Sequence, residues 1–414
     1  MRFLKWFAGS LLLIVAWTAV MFFGATEGWF RQPIAPTGDA RAFVDAAVAY
    51  LEADESASVA FVLMEAGQIF DTYYSEGVGP DTLFPVASMS KWFTAYGVMA
   101  MVQSSKVDLD APVTTYLTRW SLPHGEFNNA QVTTRKLLSH TAGLTDGLGF
   151  GDYEAGQTVP GIVESLDHPH SSSGQPVVIR VGRPPGSEWE YSGGGYLILE
   201  LLVEEVSGQR FGDYMEQAVF VPLEMTRSTY GFLGDRENVA VSLTADGEVA
   251  PYYRYAASGA TGLATTADDL VKFVKAQMPE VEGAPLSADM VEQMRKPEAF
   301  LLGLPIWGLG TILYAETDTG DHVFGHGGQN EPAINAEARL NPNTGDGLIV
   351  LVTGNASLAT RLGFLWTFWQ TGRPDFFGFE AEVQRLIPGV GFGIVVIVLA
   401  TGIGFWRTRL PAQV

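Results

Sequence analysis

The stretch PVASMSKWFTAYGVMAMV, residues 85–102, sets Ser88 three positions before Lys91 at the head of an apolar run. Positions i and i+3 share one face of a helix, so hydroxyl and amine can meet. Serine is also a favoured helix N-cap, and short patterns recur by chance, so on this motif alone capping is the plainer reading. The chemical reading makes Ser88 a nucleophile. A serine hydroxyl needs a base at neutral pH, and a desolvated lysine with a lowered pKa can serve. Met89, Trp92 and Phe93 flank the pair and can exclude water.

Two distant stretches supply further chemistry. In PPGSEWEYSGGGYLILELLVEEVSG, residues 184–208, Tyr191 and Ser192 precede a glycine run and an apolar helix. Glycines let backbone approach a ligand closely. A tyrosine there can relay a proton if a cation such as Lys91 lowers its pKa. In HVFGHGGQNEPAINAEARL, residues 322–340, His326, Gly327 and Gly328 end a predicted strand. The next amide, Gln329, can join that of Ser88 in an oxyanion hole. Alone, Tyr191 reads as a core tyrosine and His326 as a turn histidine.

Composition narrows the alternatives. The 414 residues carry 46 acidic against 25 basic side chains, a net charge of −21. Nucleic-acid binding needs clustered Lys and Arg, and only seven lysines are present. With no cysteine, disulfides, thiolate metal sites and a cysteine nucleophile are excluded. No serine has glycine at both −2 and +2, so the α/β-hydrolase elbow is absent. His168 and His170 are the close histidine pair, in a loop-like segment without an obvious third ligand. No metal or cofactor is expected, and His140 reads as structural.

Both ends are apolar. No charge occurs between Lys5 and Glu27, nor from Ile387 to Trp406. Each run is close to the roughly 20 residues that span a bilayer. The first is longer than a usual signal-peptide core and lacks its small-residue cleavage site, which favours an uncleaved anchor. Arg2 and Lys5 precede the first run; Arg407 and Arg409 follow the second. The positive-inside rule then places both termini in the cytoplasm and everything between on the other side. Gly389 and Gly393 form a G-x-x-x-G that can pack the two helices together.

Between the runs, residues 40–54 have helical spacing and residues 57–77 read as two strands about a glycine turn. A region of helical islands follows, one opening at Thr266 as an N-cap before Asp268 and Asp269. Strands return after residue 308, then a helix at 356–371. The expected class is α+β: an antiparallel sheet built from both chain ends, flanked by terminal helices, with an inserted all-helical lobe.

Taken together and in order, the three stretches resemble the serine β-lactamase and penicillin-binding protein family, in its class C and DD-peptidase or esterase-like branch. The segments FPVASMSKWFTA, VTTRKLLSHTAGL, PPGSEWEYSGGGY, VEEVSG, VFVPLEMTRSTY and GLATTADDLVKF are similar to family segments in family order. The resemblance runs from about residue 39 to 371. It implies a site between sheet and helical lobe, with Ser88 acylated, Lys91 helping to deprotonate it and Tyr191 shuttling protons. It places His326 where the family has Lys or His, and Ser88 and Gln329 amides at the oxyanion. Ser192, Gly193, Gly327 and Gly328 are expected to line the substrate. Gly193 departs from the family's Asn in Tyr-x-Asn, and His326 removes a fixed charge. Both lean toward an ester- or peptide-cleaving enzyme rather than a dedicated β-lactamase.

The boundaries expected are 1–5 cytoplasmic, 6–26 transmembrane anchor or signal sequence, 27–38 linker, 39–372 hydrolase domain, 373–386 linker, 387–406 span and 407–414 cytoplasmic tail. The implied partners are a small acyl or peptide substrate and the lipid bilayer. The rival expectation is a membrane-tethered sensor, acylated by penicillin or peptidoglycan without turnover.

Overall fold

The computed structural model describes residues 2–147, 150–170, 177–244, 247–279, 281, 283–331, 333–376 and 379–407. Arg409, the 408–414 tail and loop residues 171–176 lie outside the described residues. The chain divides into two units, Gly38–Gly363 and a second made of Met1–Thr37 with Phe364–Val414.

In the first unit, helix α2 (Ala40–Glu52) leads into strands β1 (Ser58–Glu65) and β2 (Gln68–Tyr74). The Asp39 side chain accepts from the Ala42 amide and caps α2. Much later come β7 (Ala299–Leu301), β8 (Leu304–Trp307), β9 (Ile312–Glu316), β10 (His322–Asn330), β11 (Ile334–Leu340) and β12 (Gly347–Thr353). These form one eight-stranded sheet in the order β2-β1-β12-β11-β10-β9-β8-β7. Its neighbouring strands run antiparallel, and β12 sits between β1 and β11, so the first and last strands of the domain pair within the sheet. Strands β11 and β12 are buried along their whole length. Runs such as LIVLV suit that position, because both sheet faces are covered there. Helix α2 packs on β1 and β2, and α9 (Ala267–Lys275) on β1, β11 and β12. Thr266 caps α9 by accepting from the Asp269 amide, as its sequence predicts.

Between β2 and β7 lies the inserted region. Strand β3 (Phe84–Pro85) precedes α3 (Ser90–Gln103), and α4 (Thr134–Leu138), α5 (Ile162–Asp167), α6 (Gly193–Ser207), α7 (Phe211–Met215), α8 (Ser258–Thr261) and α10 (Ala288–Met294) follow. The region is not all-helical. Strand β4 (Asp152–Tyr153) pairs with β5 (Arg254–Tyr255), and β3 pairs with β6 (Ala264–Thr265). Helices α3 and α6 are largely apolar because protein surrounds most of each; each buries eleven residues.

The second unit pairs α1 (Arg2–Thr26) with α12 (Phe379–Arg407). Helix α12 begins inside the stretch 373–386 read as a linker. Segments Leu4–Thr26 and Leu386–Arg407 are long and apolar enough to cross a membrane, and only 6% of each apolar window is buried. They are not core helices, since Leu12 and Phe392 are more than two-thirds exposed. A Cβ at Gly393 would run into the Trp17 indole, and one at Gly389 would lie 2.6 Å from the Met21 methyl. The Trp17 indole donates to the Gly389 carbonyl at 3.3 Å. Helix α11 (Leu358–Thr371) crosses the division between the units; at its end the Trp369 indole donates to the Pro36 carbonyl.

Candidate active site

Ser88 lies in a single turn of 3-10 helix, residues 87–89, between β3 and α3. It does not cap α3: no side-chain cap bond is made at either helix start. The turn is held by Ser90, whose hydroxyl donates to the Ala87 carbonyl at 2.6 Å and accepts from the Leu263 amide at 3.0 Å. Ala87 has φ of +45°, a left-handed conformation that costs a non-glycine residue energy. Such strain collects at functional sites. The turn leaves the Ser88 side chain half-buried on a cavity wall, while Lys91, one turn on, is buried.

Lys91 donates from Nζ to Ser88 Oγ at 3.3 Å and to the Ala260 carbonyl at 2.8 Å. Burial lowers its pKa to about 7, against a partial opposing pull from Asp146. A neutral amine beside the hydroxyl is therefore accessible near neutral pH. The turn bearing Ala260 is itself fixed. Thr94 donates to the Gly259 carbonyl at 2.7 Å, and the Gly259 amide donates to buried Glu200 at 2.8 Å.

Tyr191 sits with its ring centroid 4.9 Å from Lys91 Nζ. The sequence expectation that a nearby cation lowers the tyrosine pKa is not met. Desolvation raises it, and a hydrogen bond with Ser88 offsets this only in part. Burial brings Lys91 to about 7, so its charge there is only partial, and the phenol stays protonated. Tyr191 stacks on the His140 ring at 4.3 Å. His140 accepts at Nδ1 from the Ser192 amide at 3.1 Å, so its ring is neutral with the proton on Nε2.

Ser192 is a structural residue in this arrangement. Its hydroxyl donates to Asp146 at 2.6 Å and accepts from the Gly195 amide at 2.8 Å, capping α6. Asp146 also accepts from the Gly194 amide. Gly193 faces the cavity, where a longer side chain would otherwise project.

The far wall is β10. It pairs with β9 only as far as Gly325 but with β11 to Asn330, so its last residues are free of β9 beside the serine turn. Gly328 permits that approach, because a Cβ there would collide with the Val86 carbonyl. Gln329 and Asn330 reach the cavity. His326 is buried behind it, packed edge-on against Trp307 at 5.4 Å. Its Nδ1 donates to the Gly327 carbonyl at 2.6 Å, and burial lowers its pKa to about 3. It is a neutral imidazole. Gly327 approaches Glu337 closely rather than the cavity.

The cavity measures about 180 Å3 and is lined by Ser88, Lys91, Tyr191, Gly193, Gln329 and Asn330, with Phe150, Asp152, Ala257, Ala260 and Thr261. Five predicted site residues thus share one wall system: Ser88, Lys91, Tyr191, Gly193 and Gln329. Ser192, His326, Gly327 and Gly328 stand behind it. Sequence reasoning missed Asp146, Phe150, Asp152, Ala260 and Trp307. None lies in a short motif; the glycine-rich run around Asp146 and Asp152 is the local signal of a loop there. Among the described residues no cluster of three His, Asp or Glu could hold a metal. A serine, a half-neutral lysine, a protonated phenol and backbone amides around a small cavity can carry out acyl transfer.

A family model described as Beta-lactamase matches residues 43–363, and the chain belongs to that family of serine hydrolases. Protein flp of Staphylococcus aureus is 23% identical over 296 residues, 68% of this chain and 55% of that protein. The chain spans about half the length of the curated relatives it matches. Among solved structures, the octameric penicillin-binding protein homologue from Pyrococcus abyssi superposes with a TM-score of 0.66 at 21% identity, covering 81% of this chain and 78% of that one. A D-stereospecific amidohydrolase from a Streptomyces species gives 0.60 at 21% identity, covering 80% and 98%. At such identity these structures speak for the shared fold alone.

Proposed function

We propose that the chain is a membrane-anchored serine hydrolase that forms an acyl-enzyme on Ser88 with an ester, a D-amino-acid peptide or a β-lactam. The observation that carries this reading is the buried Lys91 amine 3.3 Å from Ser88 Oγ, with a pKa near 7. Neutral Lys91 takes the hydroxyl proton as Oγ attacks the carbonyl carbon. The oxyanion is held by the amides of Ser88 and Gln329. The bond to the leaving group then breaks, and the leaving group receives a proton from the Lys91–Tyr191 pair. Water attacks the ester in the second half, and Oγ regains its proton. The raised Tyr191 pKa supports the phenol as a proton donor and Lys91 as the base. His326, neutral and behind the wall, supports a positioning role for β10. The bare Gly193 and the lack of a fixed cation at His326 favour esters and peptides over β-lactams.

The apolar exposed surfaces of α1 and α12 support two spans, with both termini cytoplasmic and the hydrolase domain outside. The cysteine-free chain allows a single surface cysteine in the domain to be probed in intact cells with an impermeant maleimide. Labelling without lysis is expected; labelling only after lysis overturns the topology. For the chemistry, the three substrate classes are compared with wild type and Ser88→Ala, with intact mass recorded. Turnover lost in the variant is expected, full activity retained overturns the site, and a stable adduct without product release makes the protein a sensor.

A further inference from the structure

We infer that Asp152 makes the acyl pocket selective for substrates carrying an ammonium group on the acyl side, a reading that rests on acylation of Ser88. Asp152 stands on β4, opposite Tyr255 of β5, and lines the same cavity as Ser88, Lys91 and Tyr191. Among the described residues its carboxylate makes no hydrogen bond or ion pair, and no arginine lines this cavity. Lys91 is committed to Ser88 and Ala260. A partly buried carboxylate with no partner is costly, and burial alone pushes this one up to about 6. An ammonium group would supply the missing partner, whereas a substrate carboxylate would meet like charge.

Size restricts where that ammonium sits. At about 180 Å3 the cavity is smaller than the roughly 300–1,000 Å3 of most small-molecule sites, so it holds a compact acyl group no larger than one substituted ring. A cation on such a group has little room to lie far from Asp152. Phe150, on the same wall system, offers an aromatic face that a cation also favours. The net charge of −21 draws cations toward the molecule as a whole.

The test uses the full chain in detergent and two boronic acids that add reversibly to an active-site serine: meta-aminomethyl- and meta-methyl-phenylboronic acid. Affinities are measured at about pH 8, where the Asp152 carboxyl is ionised. Wild type is expected to prefer the ammonium compound by about tenfold or more. Asp152→Asn is expected to erase the preference, and Asp152→Glu, with its charge kept, to retain it. Equal affinities in wild type, or a preference that survives in Asp152→Asn, overturns the inference while leaving Ser88 acylation standing. Binding that survives Ser88→Ala, or none in wild type, overturns the acylation reading and this inference with it.

Discussion

Helices α3 and α12 are both apolar around their whole circumference, yet they live in opposite surroundings. In α3, Trp92, Phe93 and Met99 are fully buried, and Trp92 meets Phe273 edge-on at 5.0 Å. In α12, Phe392 is 72% exposed, and the helix packs along α1. Composition alone does not separate a buried apolar helix from an exposed one. What separates them is a functional polar group: α3 tolerates Lys91 because Ser88, Ala260 and two tyrosine rings surround it. Between Ile387 and Trp406, α12 carries no charge at all.

The comparison is broken most severely at its polar exception. Lys91→Met is expected to lower kcat/KM for a hydrolysed ester by about a thousandfold or more, because the nucleophile loses its base. Steady-state kinetics checks this, with Ser88→Ala as the floor. Next comes the apolar contrast. Trp92→Ala should destabilise the domain by about 3–5 kcal/mol, and Phe392→Ala should change it by no more than about 0.5 kcal/mol. Denaturant unfolding in detergent compares them; similar losses would mean α12 is a core helix after all.

Burial also sets a pH response. Acylation needs Lys91 neutral, so kcat/KM should rise up to about tenfold per pH unit below a midpoint near 7, then level off. His326, already neutral above about 3, should add no limb between mild acid and neutrality. A stopped-flow profile across that range tests both. Glu200 gives a stability counterpart. Its folded pKa of about 8 lies above the ordinary 4.5, chiefly through burial, so the folded state binds the proton more tightly. Stability should be highest at the acid end and fall as pH rises from about 4.5 to 8, and Glu200→Gln should flatten that slope. The smallest effect is expected at Gly393→Leu, which would separate α12 from Trp17 and weaken the pair by about 1 kcal/mol. Cross-linking of cysteines introduced into α1 and α12 reads it.

Much of this was legible because chemistry and local rules coincide. Ser88 and Lys91 lie in one turn, Thr266 caps where a cap is expected, and the strands after residue 311 have clear turn residues between them. The β7–β8 hairpin was not legible: AFLLGLPIW is a Leu-rich run with Pro305 inside, and its pairing with β9 is settled by tertiary packing. Trp307, at its end, reaches His140 and His326 only once the sheet is assembled. Ser192 shows the opposite error. Its place beside Tyr191 suggested substrate contact, yet the Asp146 carboxylate, 46 residues upstream, claims its hydroxyl. Asp152 had no motif at all; it matters only through the cavity it reaches from β4.

The bond from Lys91 to the Ala260 carbonyl spans 169 residues of chain. The turn that presents Ala260 is held in turn by Thr94 and Glu200, from α3 and α6. Contacts so distant in sequence are slow to form, since loop closure precedes any reward. Recovery of hydrolytic activity after dilution from denaturant should therefore lag behind the return of helical signal. In kinetic terms, the lysine that serves the nucleophile also acts as the clock that marks the final closure of the fold.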